Sequence, residues 1–142
     1  MFIRLQTMLV AIALCTSWAS VSHATDSYYE ELGGRTGVEN IVDNFINEIS
    51  YDQHIVTFFE GSDIARLREK LIEQFCKESG GPCEYTGDSM KDVHAGMNIS
   101  TGEFNRVVEL LQTAMDKAGT PQTAQNRLIR SLAPMRPDII HR

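Results

Sequence analysis

The sequence has few residues of the types that most often bind metals or act as nucleophiles. Its 142 residues include four histidines and three cysteines. It also lacks any block of lysine or arginine, and its formal net charge is −6. Nucleic acids and anionic lipid surfaces attract basic stripes, so an acidic chain without one is a poor candidate for binding either. We therefore expect no nucleic-acid partner and no anionic-lipid partner.

Long apolar runs are missing as well, apart from a short one near the N-terminus. Met8–Leu14 follows a single positive charge at Arg4. The run has the length of a signal-peptide core and is too short to span a bilayer. Ser22 and Ala24 supply small residues for a signal peptidase, and cleavage after Ala19 is the second choice.

The composition therefore predicts a signal peptide over residues 1–24 and one exported domain over residues 25–142. Export would be to the periplasm if the source is Gram-negative, with no stable membrane association after cleavage. Cleavage would remove Trp18, the single tryptophan, and Arg4, which leaves a net charge near −7. An uncleaved N-terminal anchor stays open. So does a lipid anchor at Cys15, although Leu14 is large for the position before such a cysteine.

Two cysteines, Cys76 and Cys83, remain after cleavage. An even pair in an oxidising compartment is typical of a disulfide. The bond would close a small loop through Ser79-Gly80-Gly81-Pro82, which has the composition of a turn. In the chain-entropy description it would stabilise the fold by roughly 2–3 kcal/mol. Two free buried thiols, or a metal site, are the alternatives.

The alternating pattern of a β-strand is absent, and the apolar residues recur at helical spacing. The pattern predicts an all-α domain. Its four main helices run from Thr36 to Ile49, from Ser62–Asp63 to Gly80, from Ser100 to Gly119, and from Pro121 to Pro134. Thr36 with Glu39, and Ser100 with Glu103, have the spacing of capping boxes. Thr120 is the expected cap of the last helix, with Pro121 as its first residue.

His94 is the histidine whose surroundings are the most informative. Val93 and Ala95 flank it, and Gly96 follows. We expect one helical turn from Met90 to Ala95, capped by Ser89. An imidazole with apolar neighbours can serve as a single axial ligand to a metal held in an apolar cavity. A hydrogen-bonded core histidine in a plain four-helix bundle is the alternative that the periodicity leaves open.

Four motifs then occur in order along the chain. They are Tyr29-x-x-Leu32-Gly33-Gly34, Phe58-Phe59-x-Gly61, Gly80-Gly81-Pro82-x-x-Tyr85-x-Gly87, and Met90-x-x-Val93-His94-x-Gly96-x-x-Ile99-x-x-x-x-Phe104. The set resembles the group I truncated haemoglobins and covers Tyr28 to Ile140. This resemblance implies a shortened globin, a two-over-two helical sandwich around haem b.

The resemblance also implies roles for individual residues. His94 matches the proximal iron ligand, and Phe59 matches an aromatic residue that packs on the porphyrin. The proximal wall corresponds to Met90, Val93, Ile99 and Phe104, and Phe75 matches a distal aromatic that can line or gate a tunnel. Each apolar residue in this set would also suit an ordinary core.

The distal positions depart from the family pattern. Members that hold oxygen tightly usually have tyrosine at the place of Ile46 and often glutamine at that of Leu71 or Leu67. A donor there would stabilise bound dioxygen by roughly 1.5–3 kcal/mol. Without one, we expect fast oxygen release and ready autoxidation. Lys70 is the polar residue expected to change the behaviour of the distal face. Three roles are open for it: it pairs with a haem propionate, it coordinates the iron as a sixth ligand, or it is a solvated surface charge. Arg66 is a second propionate candidate.

The function implied is reversible binding of a diatomic gas (dioxygen, nitric oxide or carbon monoxide) at the iron opposite His94. Nitric oxide dioxygenation is an alternative that would need a stable oxygen complex and an electron donor. A redox or peroxidase-like role would need a polar distal acid or base, which Ile46, Leu67 and Leu71 do not supply. A haem-free exported bundle that binds a protein partner is the alternative from a different class.

Overall fold

The computed structural model describes residues 27–142, which are mostly helical. The predicted signal peptide lies outside the described residues. The five α-helices are Gly34–Tyr51 (α1), Ile64–Glu78 (α2), Met90–Val93 (α3), Thr101–Lys117 (α4) and Gln122–Leu132 (α5). Two 3₁₀ helices span Ile55–Phe59 and Ala133–Asp138. Within residues 27–142 the β-type pairing is one isolated parallel bridge between Ile99 and Ile140, so the all-α prediction is confirmed.

The four long helices, α1, α2, α4 and α5, form two stacked pairs. Helix α1 contacts α2 and α4, and α5 also contacts α2 and α4. Each helix of one pair therefore packs on a helix of the other, which is the predicted two-over-two sandwich. The apolar stripe of α1 causes this packing: Val38, Ile41 and Val42 recur at helical spacing and are fully buried. They share one core with Ala114 and Met115 of α4, which are fully buried too.

Three of the predicted helix starts are confirmed by their caps. The Asp63 side chain accepts the Arg66 backbone N–H at 3.0 Å and begins α2. Ser100 and Glu103 form the reciprocal capping box of α4, with the Ser100 N–H bonded to the Glu103 carboxylate at 2.7 Å. Ser89 accepts the Asp92 N–H and begins the short α3. Such caps satisfy backbone donors that the first helical turn leaves open.

Two predicted starts are wrong. Helix α1 begins at Gly34, with Gly33 as its cap at a left-handed φ of 92°, so Thr36 lies inside the helix and forms no capping box. The preceding turn already takes the Gly34 N–H to the Tyr29 carbonyl at 3.0 Å. At the other site, Pro121 has an extended ψ of 138° and is the cap residue rather than the first residue of α5.

Residues near both ends of the described region bond to the rest of the fold. The Tyr28 hydroxyl donates to Ser131 in α5 at 2.7 Å. At the C-terminal end, the His141 N–H bonds to the Ile99 carbonyl at 2.9 Å, which anchors the segment that follows His94. In residues 27–142, no helix combines the length and apolarity needed to cross a membrane.

Candidate functional site: an apolar cavity with one histidine

A cavity of about 520 Å³ lies between α2, α4 and the segment that carries α3. Apolar side chains form most of its wall, among them Phe45, Phe59, Leu67, Phe75, Val107 and Leu111. Met135 and Ile139, which belong to the last 3₁₀ helix and the residue after it, line it too. Protein interiors are otherwise close-packed. The helices therefore enclose a space of ligand size instead of filling it with their own side chains.

With one exception, every residue predicted for the site lines this cavity. These residues are Phe59, Arg66, Leu67, Lys70, Leu71, Phe75, Met90, Val93, His94, Ile99 and Phe104. They come from the first 3₁₀ helix, α2, α3, the loop after α3 and α4. Val93 is nevertheless 45% exposed and so covers less of the wall than expected.

Ile46 is the exception, and its placement differs from the prediction for the distal face. It is half-buried and packs against the core cluster, but it is not among the cavity-lining residues. Phe45 and Ile49 line the cavity from α1. These two residues are one turn apart and share a face of the helix, whereas Ile46 is rotated by about 100° from Phe45. The wall from α1 is thus still apolar, but different residues form it.

His94 is held in a defined orientation at the C-terminal end of α3. Its Nδ1 lies 2.7 Å from the Met90 carbonyl oxygen. A carbonyl can only accept, so Nδ1 carries a proton, and in the neutral imidazole Nε2 is then the nitrogen with the lone pair. No described residue bonds Nε2, and the half-buried ring lines the cavity. A histidine that ligates a metal usually has this arrangement, with its other ring nitrogen donating to a backbone carbonyl.

Lys70 is engaged in a polar network at the edge of the cavity. Its ammonium donates to Glu73 at 3.0 Å, to Glu69 at 2.8 Å and to the Thr86 hydroxyl at 2.6 Å. Hydrogen bonds to Glu69 and Glu73 raise the pKa of Lys70 above its ordinary value. A lysine needs a lowered pKa to lose its proton and coordinate iron. The arrangement in this structure therefore favours a charged, paired lysine.

The rim of the cavity carries a second cation, Arg66. Its guanidinium lies 3.5 Å from the Asp88 carboxylate, and 59% of its side chain is exposed. The Tyr85 hydroxyl donates to the Asp88 backbone carbonyl at 2.9 Å and also lines the cavity. A long, exposed ion pair is weak. Arg66 is thus more readily available than Lys70 to a new anionic partner.

Six polar residues that line the cavity were not predicted for the site from the sequence: Ser62, Asp63, Gln74, Tyr85, Asp88 and Glu103. Gln74 lines the wall from α2 and is 9% exposed, and Glu103 lines it from α4. The signal for Gln74 was its spacing, three residues after Leu71 and seven after Leu67, which places all three on one face of α2. Gln74 is thus a second polar residue beside Lys70 on this wall, and it is the more deeply buried of the two.

Comparisons with known proteins agree with this architecture. The family model described as "Bacterial-like globin" matches residues 27–141. A group 1 truncated haemoglobin of Mycolicibacterium paratuberculosis is 35% identical over 113 residues, which cover 80% of this chain and 83% of the relative. One from a Nostoc species is 31% identical over 91 residues, covering 64% of this chain and 77% of that protein.

Solved structures show the same fold. The Fe(III) form of truncated haemoglobin from Tetrahymena pyriformis superposes with a TM-score of 0.78 at 24% identity, covering 82% of this chain and 99% of that one. A 2/2 haemoglobin from a Synechococcus species gives a TM-score of 0.74 at 22% identity over 82% of this chain and 99% of that structure. Since the family match spans nearly all described residues, the chain belongs to the bacterial-like globins and, within them, to the group 1 truncated haemoglobins.

Proposed function

We propose that this chain holds haem b through His94 and binds a diatomic gas such as dioxygen, nitric oxide or carbon monoxide reversibly. The observation that carries the proposal is the orientation of His94. Its Nδ1 is bonded to the Met90 carbonyl at 2.7 Å, which would leave Nε2 of the neutral imidazole to hold the haem iron. The globin family identity supports the same group.

The residues around the cavity suit a porphyrin. The volume of about 520 Å³ lies within the range of cofactor sites, and the walls are apolar. Phe59 and Phe104 supply aromatic surface, and Arg66 supplies a cation at the rim for a carboxylate substituent. Cys76 and Cys83 are bonded to each other, so neither thiol is available for a covalent thioether link, which favours a non-covalent b-type group.

Bound haem supplies an iron with one coordination position open to a diatomic gas. Leu67 and Leu71 line the cavity from α2 and would offer no proton donor or acceptor to a ligand held there. A wall of this kind favours ligand binding over acid–base chemistry. The two leucines themselves would stabilise negative charge on a bound ligand weakly, so oxygen should dissociate faster than from relatives that have a distal tyrosine.

The test begins with the domain of residues 25–142 reconstituted with haem and compared with His94→Gly. We expect a Soret band and rapid, reversible carbon monoxide and oxygen binding in the unchanged chain. His94→Gly should retain little haem, and added imidazole should restore the band. His141→Gly is the matched control, because His141 is exposed and its φ of 56° already suits glycine. A colourless reconstituted protein, or a spectrum that His94→Gly does not alter, would refute the proposal.

Export to the periplasm is a further part of the proposal. It is supported by the apolar run Met8–Leu14 and by the bonded pair Cys76–Cys83, since disulfides persist in oxidising compartments. Expression of the full chain in a Gram-negative host should give a periplasmic protein that begins at Thr25 and lacks tryptophan fluorescence. Cytoplasmic full-length protein with Trp18 emission would contradict this.

A further inference from the structure

Gln74 is the most deeply buried of the polar residues that line the cavity. It is 9% exposed and lines the cavity together with Leu67 and Leu71. The three residues are spaced by four and then three positions, so they follow one another along the same face of the helix. Gln74 therefore shares a helix face with the two leucines, while its amide contacts Met90 and Met135.

The hydrogen-bond partners of Gln74 are poor. Its Nε2 donates to the Met90 sulfur at 3.5 Å and to the Met135 sulfur at 3.3 Å. Thioether sulfur is a weak acceptor. Its Oε1 accepts no hydrogen bond from any described residue. Among residues 27–142, every side-chain oxygen that is fully shielded from solvent has a hydrogen-bond partner. Because Oε1 of Gln74 has none, this oxygen is not fully shielded and remains accessible.

Three other polar groups of the cavity have stronger partners than Gln74. Lys70 is held by two carboxylates, and the Tyr85 hydroxyl donates to a backbone carbonyl at 2.9 Å. Glu103 accepts from the Ser100 N–H at 2.7 Å and lies 3.0 Å from the His54 ring. A buried amide left with weak acceptors is costly unless something else uses it. Gln74 is thus the buried polar group most ready to exchange its present partners for a ligand.

We propose that the Gln74 amide is the hydrogen-bond donor for a ligand inside this cavity, in place of the donors missing at Leu67 and Leu71. The proposal rests on the haem-binding function proposed above and deepens it. The Nε2 group would exchange its two sulfur acceptors for the ligand. It would favour dioxygen, which accepts negative charge on binding, over carbon monoxide, which accepts less.

The test compares the unchanged holoprotein with Gln74→Met, which keeps the length of the side chain and removes the donor. We expect oxygen to dissociate about tenfold faster, the size typical of losing one such hydrogen bond. Carbon monoxide dissociation should change much less. The infrared C–O stretch should move to higher frequency, because a donor that polarises the bound ligand has gone.

Two further variants keep the result interpretable. Gln122→Met makes the same chemical change on the exposed surface of α5, outside the cavity, and should alter neither quantity. Gln74→Asn keeps an amide but shortens the side chain by one methylene. It should therefore shift oxygen dissociation and the C–O stretch in the same direction as Gln74→Met, which tests the proposal even if Gln74→Met folds poorly.

The possible failures are distinguishable. Absence of a Soret band in the unchanged protein would overturn the haem proposal and this inference together. A normal Soret band, with oxygen release and the C–O stretch unmoved in both Gln74 variants, would overturn the role of Gln74 alone. A shift of equal size in Gln122→Met would also overturn it, since that residue does not reach the cavity.

Discussion

The Glu73 carboxylate accepts the Thr86 backbone N–H at 2.9 Å, and this bond joins α2 to the loop that leads to His94. The Thr86 hydroxyl also lies 2.9 Å from the same carboxylate oxygen. Lys70 reaches both residues, at 3.0 Å and 2.6 Å. The disulfide between Cys76 and Cys83 joins the same two segments, with a Cα–Cα distance of 5.8 Å. The cavity wall from α2 and the histidine-bearing segment are therefore fastened together twice.

This network predicts that Lys70 does not ligate the iron. Its ammonium is shared between two carboxylates and a hydroxyl, and these bonds raise the pKa of Lys70. Lys70→Ala should leave the ferric and ferrous absorption bands in place between pH 6 and 8, measured by optical and electron paramagnetic resonance spectroscopy. Lys77→Ala, which removes an exposed charge from the same helix, is the control. A low-spin six-coordinate spectrum that turns high-spin in Lys70→Ala alone would show lysine ligation.

The Glu73 carboxylate should contribute to the stability of the folded domain in a way that depends on pH. The Thr86 N–H and the Lys70 ammonium lower the pKa of Glu73 from 4.5 to about 2. Because the folded pKa is the lower one, the contribution is complete above pH 4.5 and is lost as the pH falls toward 2. The difference in melting temperature between the unchanged protein and Glu73→Gln should thus be constant near neutrality and shrink in this acid range. Glu69→Gln should show a much smaller difference, because its side chain is 63% exposed. A difference independent of pH would contradict the assignment.

Much of the fold was predictable because it depends on local patterns. The apolar stripe from Val38 to Ile49 and the caps Asp63 and Ser100 each act within one or two helical turns. Those interactions can be recognised from residue spacing alone. The placement of His94 on a short turn after Ser89 followed from the same kind of information.

The parts that sequence patterns did not predict depend on how helices rotate against each other. Ile46 and Phe45 are adjacent in sequence, yet only Phe45 lines the cavity. Gln74 was not predicted for the site, but α2 turns it toward Met90 and Met135. A rotation of a few tens of degrees exchanges a core position for a cavity position, and neither composition nor periodicity specifies an angle that finely. Gly33 likewise replaced the predicted cap because the turn before it satisfies the backbone.

The disulfide between Cys76 and Cys83 should stabilise the domain measurably. The two cysteines are seven residues apart, and closing a loop of this size contributes about 2.5 kcal/mol in the chain-entropy description. Urea unfolding with and without a dithiol reductant should show that loss. The Cys76→Ala/Cys83→Ala double variant should unfold near the reduced protein and be insensitive to reductant. We expect the folded reduced protein to retain haem, because Glu73 and Thr86 still hold the loop. Equal stability in both redox states would contradict a bond in the purified protein.

Substitution of alanine for two helical glycines, Gly37 and Gly102, should have opposite effects on stability. A Cβ on Gly37 would approach the Leu32 carbonyl oxygen, a fixed backbone atom, to an impossibly short distance, whereas one on Gly102 would meet nothing nearer than the Ser100 hydroxyl at 3.9 Å. Gly37→Ala should therefore destabilise the domain by about 1–3 kcal/mol through overpacking. Gly102→Ala should stabilise it by about 0.4–1 kcal/mol, because alanine restricts the unfolded chain. Chemical denaturation of both variants measures the pair, and a Gly37→Ala protein as stable as Gly102→Ala would show that the turn before α1 does not approach the helix this closely.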